Sequence, residues 1–362
     1  MSKALLFSDL HIHAHKESVS RLNHCLEVLN WIFEQAHEHD VDDIIFAGDL
    51  FHDRGKIDVL VYLKTFEVFM QRLLVENPKF KFWALVGNHD MYHRENWDVN
   101  SVKPLTAIPG FEIIDKPSSL CFGDKLQLII DFCPYSDNPI RELEKLKADR
   151  KKESLRMLVG HMAIHGAQLN KLYGTRADVI VEYDNEMIPV SVDVFNDWDH
   201  VFLGHYHGAQ RLSASVEYLG SPLQLSFGET FQEKHILILD LETMEKQYIV
   251  NSFSPRHLIL QTDELQSYDM NNAFVRIEVE DTGKKELIDM QREIQKKFKI
   301  LSFSYKQKDK KIEEDKAIVA ASTAILLDEE KLLETYMTNQ GVPAGMDAKH
   351  LAEIGKKCLK SA

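Results

Sequence analysis

The chain has 362 residues, of which 44% are hydrophobic and 28% charged, a composition typical of soluble globular proteins. Because single hydrophobic cores rarely grow beyond roughly 250–300 residues, this length predicts one large domain with one or two smaller elements. The net charge of −14 argues against nonspecific nucleic-acid binding over the whole surface, and four scattered cysteines argue against a disulfide framework or a zinc knuckle.

The first 210 residues alternate between short apolar runs and segments with helical spacing. The runs Ala4–Phe7, Ile44–Ala47 and Phe82–Val86 predict strands. Between them, apolar residues recur at helical spacing from Leu22 to Ala36 and from Val59 to Leu73, which predicts parallel strands with helical crossovers. Later runs predict strands at Phe111–Ile114, Leu126–Phe132, Leu155–Val159 and Val201–Leu203, with Tyr218–Leu219, Ile236–Leu239 and Tyr248–Val250 completing a second sheet. The predicted fold class is α/β, with two β-sheets flanked by helices.

The pattern of residues changes after about Ser254. The alternating segment Ala273–Glu280, the charged helical stretch Lys284–Lys299 and the run Ile300–Tyr305 predict a small α+β domain. Lys306–Lys316 is almost wholly charged and predicts a solvated linker before two helices that close the chain. The predicted domains are therefore residues 1–254, 255–305 and 306–362.

Five short motifs carry the chemistry, and each follows the end of a predicted strand. They are Asp9-Leu10-His11, Gly48-Asp49-Leu50-Phe51-His52-Asp53, Gly87-Asn88-His89-Asp90, Gly160-His161 and Gly204-His205-Tyr206-His207. Ligand sites of α/β folds lie at the carboxyl ends of the strands, so these side chains are expected to converge. Carboxylate and amide oxygens suit Mn²⁺ or Mg²⁺, and several imidazoles favour transition metals. The motifs therefore predict a centre for two divalent cations.

The same five motifs resemble the pattern of the calcineurin-like metallophosphoesterases over roughly residues 3–230. Within that superfamily, the chain is similar to the SbcD type of DNA repair nuclease, which has bacteriophage members. The similarity rests on the GDLFH sequence at 48–52, the fourth motif at 159–167 and the GSP…SFGE segment at 218–229. The resemblance implies a four-layer metallophosphoesterase sandwich and a small α+β capping domain that contacts DNA, and the C-terminal helices either dock a partner or pack on the core.

The resemblance also implies a role for each matched side chain. One metal would be bound by Asp9, His11 and His207, the other by Asn88, His161 and His205, and Asp49 would bridge the two. His89 would be the catalytic histidine beside the scissile phosphate, with Asp90 orienting it and His52 helping to place the substrate.

The function implied by the resemblance is Mn²⁺-dependent DNA cleavage by two-metal phosphodiester hydrolysis. It comprises a 3′–5′ exonuclease on duplex ends and an endonuclease on single strands, with two Mn²⁺ ions or another divalent cation such as Mg²⁺. The implied partners are a coiled-coil ATPase of the SbcC type and a second copy of the chain. The chain contains no GxxxxGK[ST] loop, so ATP hydrolysis would belong to another polypeptide. The alternatives are a metallophosphoesterase for small molecules or phosphoproteins, and a non-catalytic DNA-end-binding protein.

Several features allow two interpretations. His13 and His15, just after the first motif, either approach the metals or lie on the surface. Tyr92 and Trp97 either stack on an unpaired base or pack in the core. Basic residues that either contact phosphates or are ordinary surface charges are Arg54, Lys56, Arg94 and Arg176.

The location of the protein and of its dimer interface are also expectations. No segment approaches the ~18 apolar residues of a membrane span, so we expect a cytoplasmic protein of a bacterium or of a phage-infected cell. The helices near Leu60–Leu74 and after His93 are the candidates for the homodimer interface.

Overall fold

The structure is a computed structural model that describes residues 3–14, 19–122, 128–147, 155–170, 175–184, 186–280 and 282–307. One compact unit consists of residues 1–278 and 283–306, and a second of residues 279–282 and 307–362. The predicted C-terminal helices and most of the predicted linker lie outside the described residues.

The first sheet has six strands and contains the beginning of the chain. Four of them run parallel in chain order: β1 (Lys3–Phe7), β2 (Asp43–Phe46), β3 (Lys81–Leu85) and β4 (Phe111–Ile114). Two more extend it antiparallel on the side of β1. They are β15 (His235–Asp240), which pairs with β1, and β16 (Lys246–Val250), which pairs with β15.

The prediction that the β15 and β16 segments belong to the second sheet is wrong. In β15, Ile236 and Ile238 join the core beneath the helices, whereas Leu237 and Leu239 join the core between the sheets. A strand buried on both faces fits either sheet, so its apolar pattern does not specify its neighbour.

The second sheet also has six strands, in the order β13-β14-β12-β7-β6-β5. Its four central strands run parallel, and β5 and β13 pair antiparallel at the edges. The bounds are β5 (Ser118–Phe122), β6 (Leu128–Cys133), β7 (Arg156–His161), β12 (His200–Gly204), β13 (Gln210–Arg211) and β14 (Val216–Tyr218). Two hairpins lie between β7 and β12, formed by β8 (Gln168–Asn170) with β9 (Thr175–Arg176) and by β10 (Ile180–Tyr183) with β11 (Glu186–Pro189).

Helices cover the outer faces of both sheets. They are α1 (Val19–Glu38), α2 (Val59–Phe69), which continues as a π-helical turn over Met70–Glu76, and α3 (Pro139–Lys147). Leu29 and Phe33 of α1 pack with Leu5 and Phe7 of β1, while the alternate residues of β1 face the second sheet. Burying each such side chain contributes about 1.5–3 kcal/mol. The predicted four-layer α/β sandwich is thus confirmed, and no described helix is long and apolar enough to span a membrane.

A smaller three-stranded sheet follows the sandwich. It contains β17 (Arg256–Gln261), β18 (Ala273–Val279) and β19 (Ser302–Gln307), with α4 (Lys284–Lys297) between the last two. In β18, Val275 and Ile277 are buried and alternate with Arg276 and Glu278, as the sequence pattern predicted. Strand β17, which pairs parallel with β18, was not predicted from the sequence.

Candidate metal centre

The candidate centre lies where five parallel strands from both sheets end. Asp9 and His11 follow β1, Asp49 follows β2, and Asn88 follows β3. The second sheet contributes His161, the last residue of β7, and His205 and His207 after β12. Contacts among these residues bring all seven predicted metal-binding side chains together in one place.

The loops of this centre are bonded to one another through their backbones. The Asp9 N–H donates to the Gly48 carbonyl at 3.0 Å, and the His11 N–H donates to the Asp49 carbonyl at 3.1 Å. Asp9, His11, Asp49 and His205 all have positive φ angles, of 54°, 47°, 65° and 105°. Such backbone costs of order 1–3 kcal/mol per residue and is concentrated at functional sites.

Two motif glycines permit the close approach of these loops. A Cβ atom on Gly87 would lie 2.2 Å from Oδ1 of Asp49. A Cβ atom on Gly48, where φ is +98°, would lie 2.5 Å from Nδ1 of His161. Both positions therefore need a residue without a side chain.

One group of ligand atoms is formed by Asp9, His11 and His207. The Nε2 atoms of His11 and His207 are 3.1 Å apart, so the two rings point at the same place. Oδ1 of Asp9 lies 3.7 Å from Nε2 of His11, and this buried oxygen has no hydrogen-bond partner among the described residues. Several nitrogen and oxygen atoms thus point at one place, and not all of them have a hydrogen-bond partner. This is the arrangement that a cation site requires.

A second group is formed by Asn88, His161 and His205. Oδ1 of Asn88 lies 3.0 Å from Nε2 of His161 and 2.8 Å from Nδ1 of His205. Asp49 is shared between the two groups, because its Oδ2 lies 3.4 Å from Nε2 of His161 and 3.5 Å from Nε2 of His11. The donor set of carboxylates, one amide oxygen and imidazoles fits a pair of divalent cations.

Electrostatics keep the carboxylates of the centre ionised. Burial opposes ionisation of Asp9, but the nearby His11 and His161 lower its pKa to about 2. Burial likewise opposes ionisation of Asp49, whose pKa is nevertheless held well below its ordinary value, chiefly by His161. Burial, followed by the charge of His161, lowers the pKa of His205 to about 4, which favours the neutral ring that can bind a metal.

His89 and His52 lie at the edge of the group around His11. The ring centroids of His11 and His89 are 4.7 Å apart, and the rings of His52 and His89 stack at 5.7 Å. Burial is the main cause that lowers the pKa of both His52 and His89. His13 approaches this edge as well, with its ring 4.6 Å from that of His52, whereas His15 lies outside the described residues.

Asp90 forms its hydrogen bonds with backbone groups of the second and third motifs. Its buried carboxylate accepts the backbone N–H groups of Asp49 at 2.9 Å, Leu50 at 3.0 Å and Gly87 at 3.0 Å. Burial, with the neighbouring charge of Asp49, raises the pKa of Asp90 to about 7. Asp90 therefore holds the second motif loop against the third, which also carries His89.

Two side chains of the centre were not predicted from the sequence. Oε1 of Glu229, the last residue of the SFGE segment, lies 3.1 Å from Nδ1 of His207. The ring of Tyr135 stacks on that of His205 at 6.0 Å. The Trp97 indole N–H donates to the Tyr135 carbonyl at 2.7 Å, which favours packing over base stacking for this tryptophan, while Tyr92 is exposed.

The sequence was also compared with known proteins. The sequence model of the family described as calcineurin-like phosphoesterase matches residues 2–209. The chain is 24% identical over 258 residues to "Exonuclease subunit 1" of Enterobacteria phage T4, which covers 69% of each chain. It is 25% identical over 278 residues to the SbcD component of the SbcCD nuclease of Escherichia coli, which covers 67% of this chain and 66% of that protein. The corresponding SbcCD nuclease component of Staphylococcus epidermidis is 26% identical over 252 residues, 64% of each chain.

Proposed function

Because the chain belongs to the calcineurin-like phosphoesterase family of metal-dependent enzymes, we propose that it is the nuclease component of an SbcCD-type DNA repair and recombination complex. Its reaction would be Mn²⁺-dependent hydrolysis of DNA, 3′–5′ on duplex ends and endonucleolytic on single strands. The observation that carries the proposal is the convergence of two groups of ligand atoms that share the Asp49 carboxylate. The nuclease names of the relatives support DNA as the substrate.

In the proposed centre, Asp9, His11 and His207 would hold one cation and Asn88, His161 and His205 the other, with the Asp49 carboxylate shared between the two groups. Two bound cations would polarise the phosphoryl oxygens and lower the pKa of the attacking water. The chain's own residues orient the substrate and move the proton of the leaving group.

In this proposal, His89 would donate a proton to the leaving oxygen. A carbonyl oxygen only accepts hydrogen bonds, so Nδ1 of His89, 2.5 Å from the His52 carbonyl, is the donor of that contact. Nε2 is then the atom that exchanges a proton with the substrate. Burial lowers the pKa of His89, which makes the protonated ring a stronger acid toward the departing oxygen.

The partner surfaces are part of the same proposal. On α4 and just after it, the exposed cations Arg292, Lys296, Lys297 and Lys299 lie among the exposed acidic residues Asp289 and Glu293, and these cations support phosphate contacts. Residues 255–305 would cap the DNA, and residues 306–362 would dock an SbcC-type ATPase. On α2, the exposed Val59, Leu60 and Leu63 support a homodimer interface.

A nuclease assay with Mn²⁺ on labelled duplex and single-stranded DNA, with and without the ATPase, tests the proposal. Shortening of the duplex from its 3′ ends and cleavage of the single strand are expected. If the DNA stays intact while nucleotides or phosphopeptides are hydrolysed, the small-molecule or phosphoprotein alternative is correct. Mn²⁺ and DNA binding without any hydrolysis would indicate the non-catalytic alternative.

A further inference from the structure

A buried ion pair lies directly behind His207. Glu229 and Lys234 are each only 6% exposed, and Nζ of Lys234 lies 2.7 Å from Oε2 of Glu229. A buried charge is costly unless it is paired and hydrogen-bonded, so two such residues beside a metal-binding histidine need a physical reason.

The hydrogen bonds of Glu229 divide between its two oxygens. Oε2 accepts from Lys234 Nζ, from Ser221 Oγ at 3.3 Å and from the Leu225 N–H at 3.2 Å. Oε1 is therefore directed at His207, whose Nδ1 lies 3.1 Å away. Oε2 thus holds the carboxylate in place, and Oε1 contacts the imidazole of His207.

This arrangement determines which ring nitrogen of His207 would bind a cation. The Lys234 ammonium and the Leu225 N–H both donate to Glu229, which is the bonding pattern of an ionised carboxylate. An ionised carboxylate only accepts, so Nδ1 of His207 carries the proton and Nε2 keeps its lone pair toward His11. Lys234 also donates to the His207 carbonyl at 2.8 Å, which holds the backbone of the same residue.

Other histidines of the centre are supported differently. Nδ1 of His161 bonds to the neutral carbonyl of Ala47 at 2.7 Å, and the buried Nδ1 of His11 has no hydrogen-bond partner among the described residues. Of these three histidines, only His207 is in contact with the carboxylate of Glu229, so this contact belongs to the group of Asp9, His11 and His207. A carboxylate behind a metal-binding histidine makes the ring a more basic ligand.

We propose that Glu229, held in place by Lys234, is a positioning residue that sets the cation affinity of the group formed by Asp9, His11 and His207. The group formed by Asn88, His161 and His205 does not depend on it. The inference rests on the proposed two-cation centre, but not on DNA as the substrate.

Calorimetric titration of the full chain with Mn²⁺, in the absence of DNA, tests this inference. The wild type is expected to bind two ions. In Glu229→Ala, one site is expected to weaken by roughly 10–100-fold while the other keeps its affinity. Glu229→Gln should restore part of the loss, because its amide oxygen still accepts the Nδ1 proton of His207.

Glu217→Gln is the matched control. Glu217 is also 6% exposed and pairs with a lysine, Lys246, at 3.0 Å, but its side-chain partners include none of the seven metal-centre residues. This variant should bind two ions with wild-type affinity, and its thermal unfolding shows the general cost of losing a buried glutamate.

The inference is wrong if Glu229→Ala binds two Mn²⁺ ions with wild-type affinity. It is also wrong if the affinity of both sites falls equally. If Glu229→Ala does not fold, Glu229→Gln decides, and unchanged affinity at both of its sites is the contradicting result. A wild type that binds two Mn²⁺ ions and leaves DNA intact would remove the proposed substrate and leave this inference standing.

Discussion

The ring of His89 is held by the loop that carries Asp49, because its Nδ1 atom lies 2.5 Å from the His52 carbonyl oxygen. The backbone of His89 is held by the same loop, since its N–H donates to Oδ1 of Asp49 at 2.7 Å. A side chain fixed at both points loses little conformational entropy when a substrate binds. This preorganisation is what a proton donor to the leaving group needs.

His89→Ala should lower the rate of DNA cleavage by roughly 10²–10⁴-fold, the usual contribution of a general acid. Because His89 is not one of the seven ligands, Mn²⁺ stoichiometry and DNA affinity should stay at wild-type values. Cleavage rates and titrations on one preparation measure all three quantities. His93→Ala is the control, because His93 is exposed in the same loop region. Undiminished cleavage by His89→Ala would remove the assigned role.

Asp90→Asn should destabilise the fold and weaken the metal centre together. The Asn amide would direct N–H groups at backbone donors that Asp90 now satisfies, and an unsatisfied buried donor costs about 1–3 kcal/mol. Urea unfolding measures the first effect and Mn²⁺ titration the second. Asp53→Asn, at an exposed position of the same motif, should change neither. An Asp90→Asn protein with the wild-type unfolding midpoint would contradict the bracing role.

The contrast between Asp90 and Glu229 shows how far the sequence predicts this centre. Polar residues directly after apolar runs are a local signal, and parallel strands bring their ends together, so the convergence of the five motifs could be predicted, whereas the choice of seven ligands among their residues came from the family resemblance. The partners of Asp90 depend on how two loops pack, which spacing alone does not give. Glu229 is separated by 22 residues from the histidine it contacts, so only the three-dimensional path of the chain reveals the hydrogen bond.

The sequence likewise predicts the strands of the fold better than it predicts which strands pair. Apolar runs predicted most strands of the two sheets, because buried strands need continuous hydrophobic residues. The position of β15 beside β1 could not be predicted, since pairing depends on contacts between segments more than 200 residues apart, such as Leu5 with Ile238. β17 was missed because its apolar residues, Leu258 to Leu260, form too short a run.

Leu63→Glu should convert a homodimer into a monomer. Leu63 is 48% exposed on α2 beside Val59, which is 81% exposed, and a charge buried in a dimer interface there would be desolvated without a partner. Sedimentation equilibrium measures the change in mass. Ile180→Glu is the control, since Ile180 is 49% exposed on the hairpin of β10. A wild-type monomer, or a Leu63→Glu dimer of unchanged affinity, would place the interface elsewhere.

His257→Leu should reduce the loss of stability in acid. Burial, followed by the charge of Arg21, lowers the pKa of His257 from 6.5 to about 4. The folded state therefore resists protonation, and the stability present above about pH 6.5 is lost progressively as the pH falls toward 4. Each pKa unit corresponds to about 1.4 kcal/mol, so the full effect is about 3 kcal/mol. Urea midpoints at pH 7 and pH 4.5 should differ less in the variant than in the wild type, and an equal difference would contradict this assignment.

The central claim is that loops from two sheets hold a pair of cations around Asp49. Anomalous diffraction at the manganese edge, from a crystal soaked in Mn²⁺, tests it most directly. Two peaks about 3.5–4 Å apart are expected, with the Asp49 carboxylate between them. A single peak away from Asp49, or none among these seven side chains, would contradict the account.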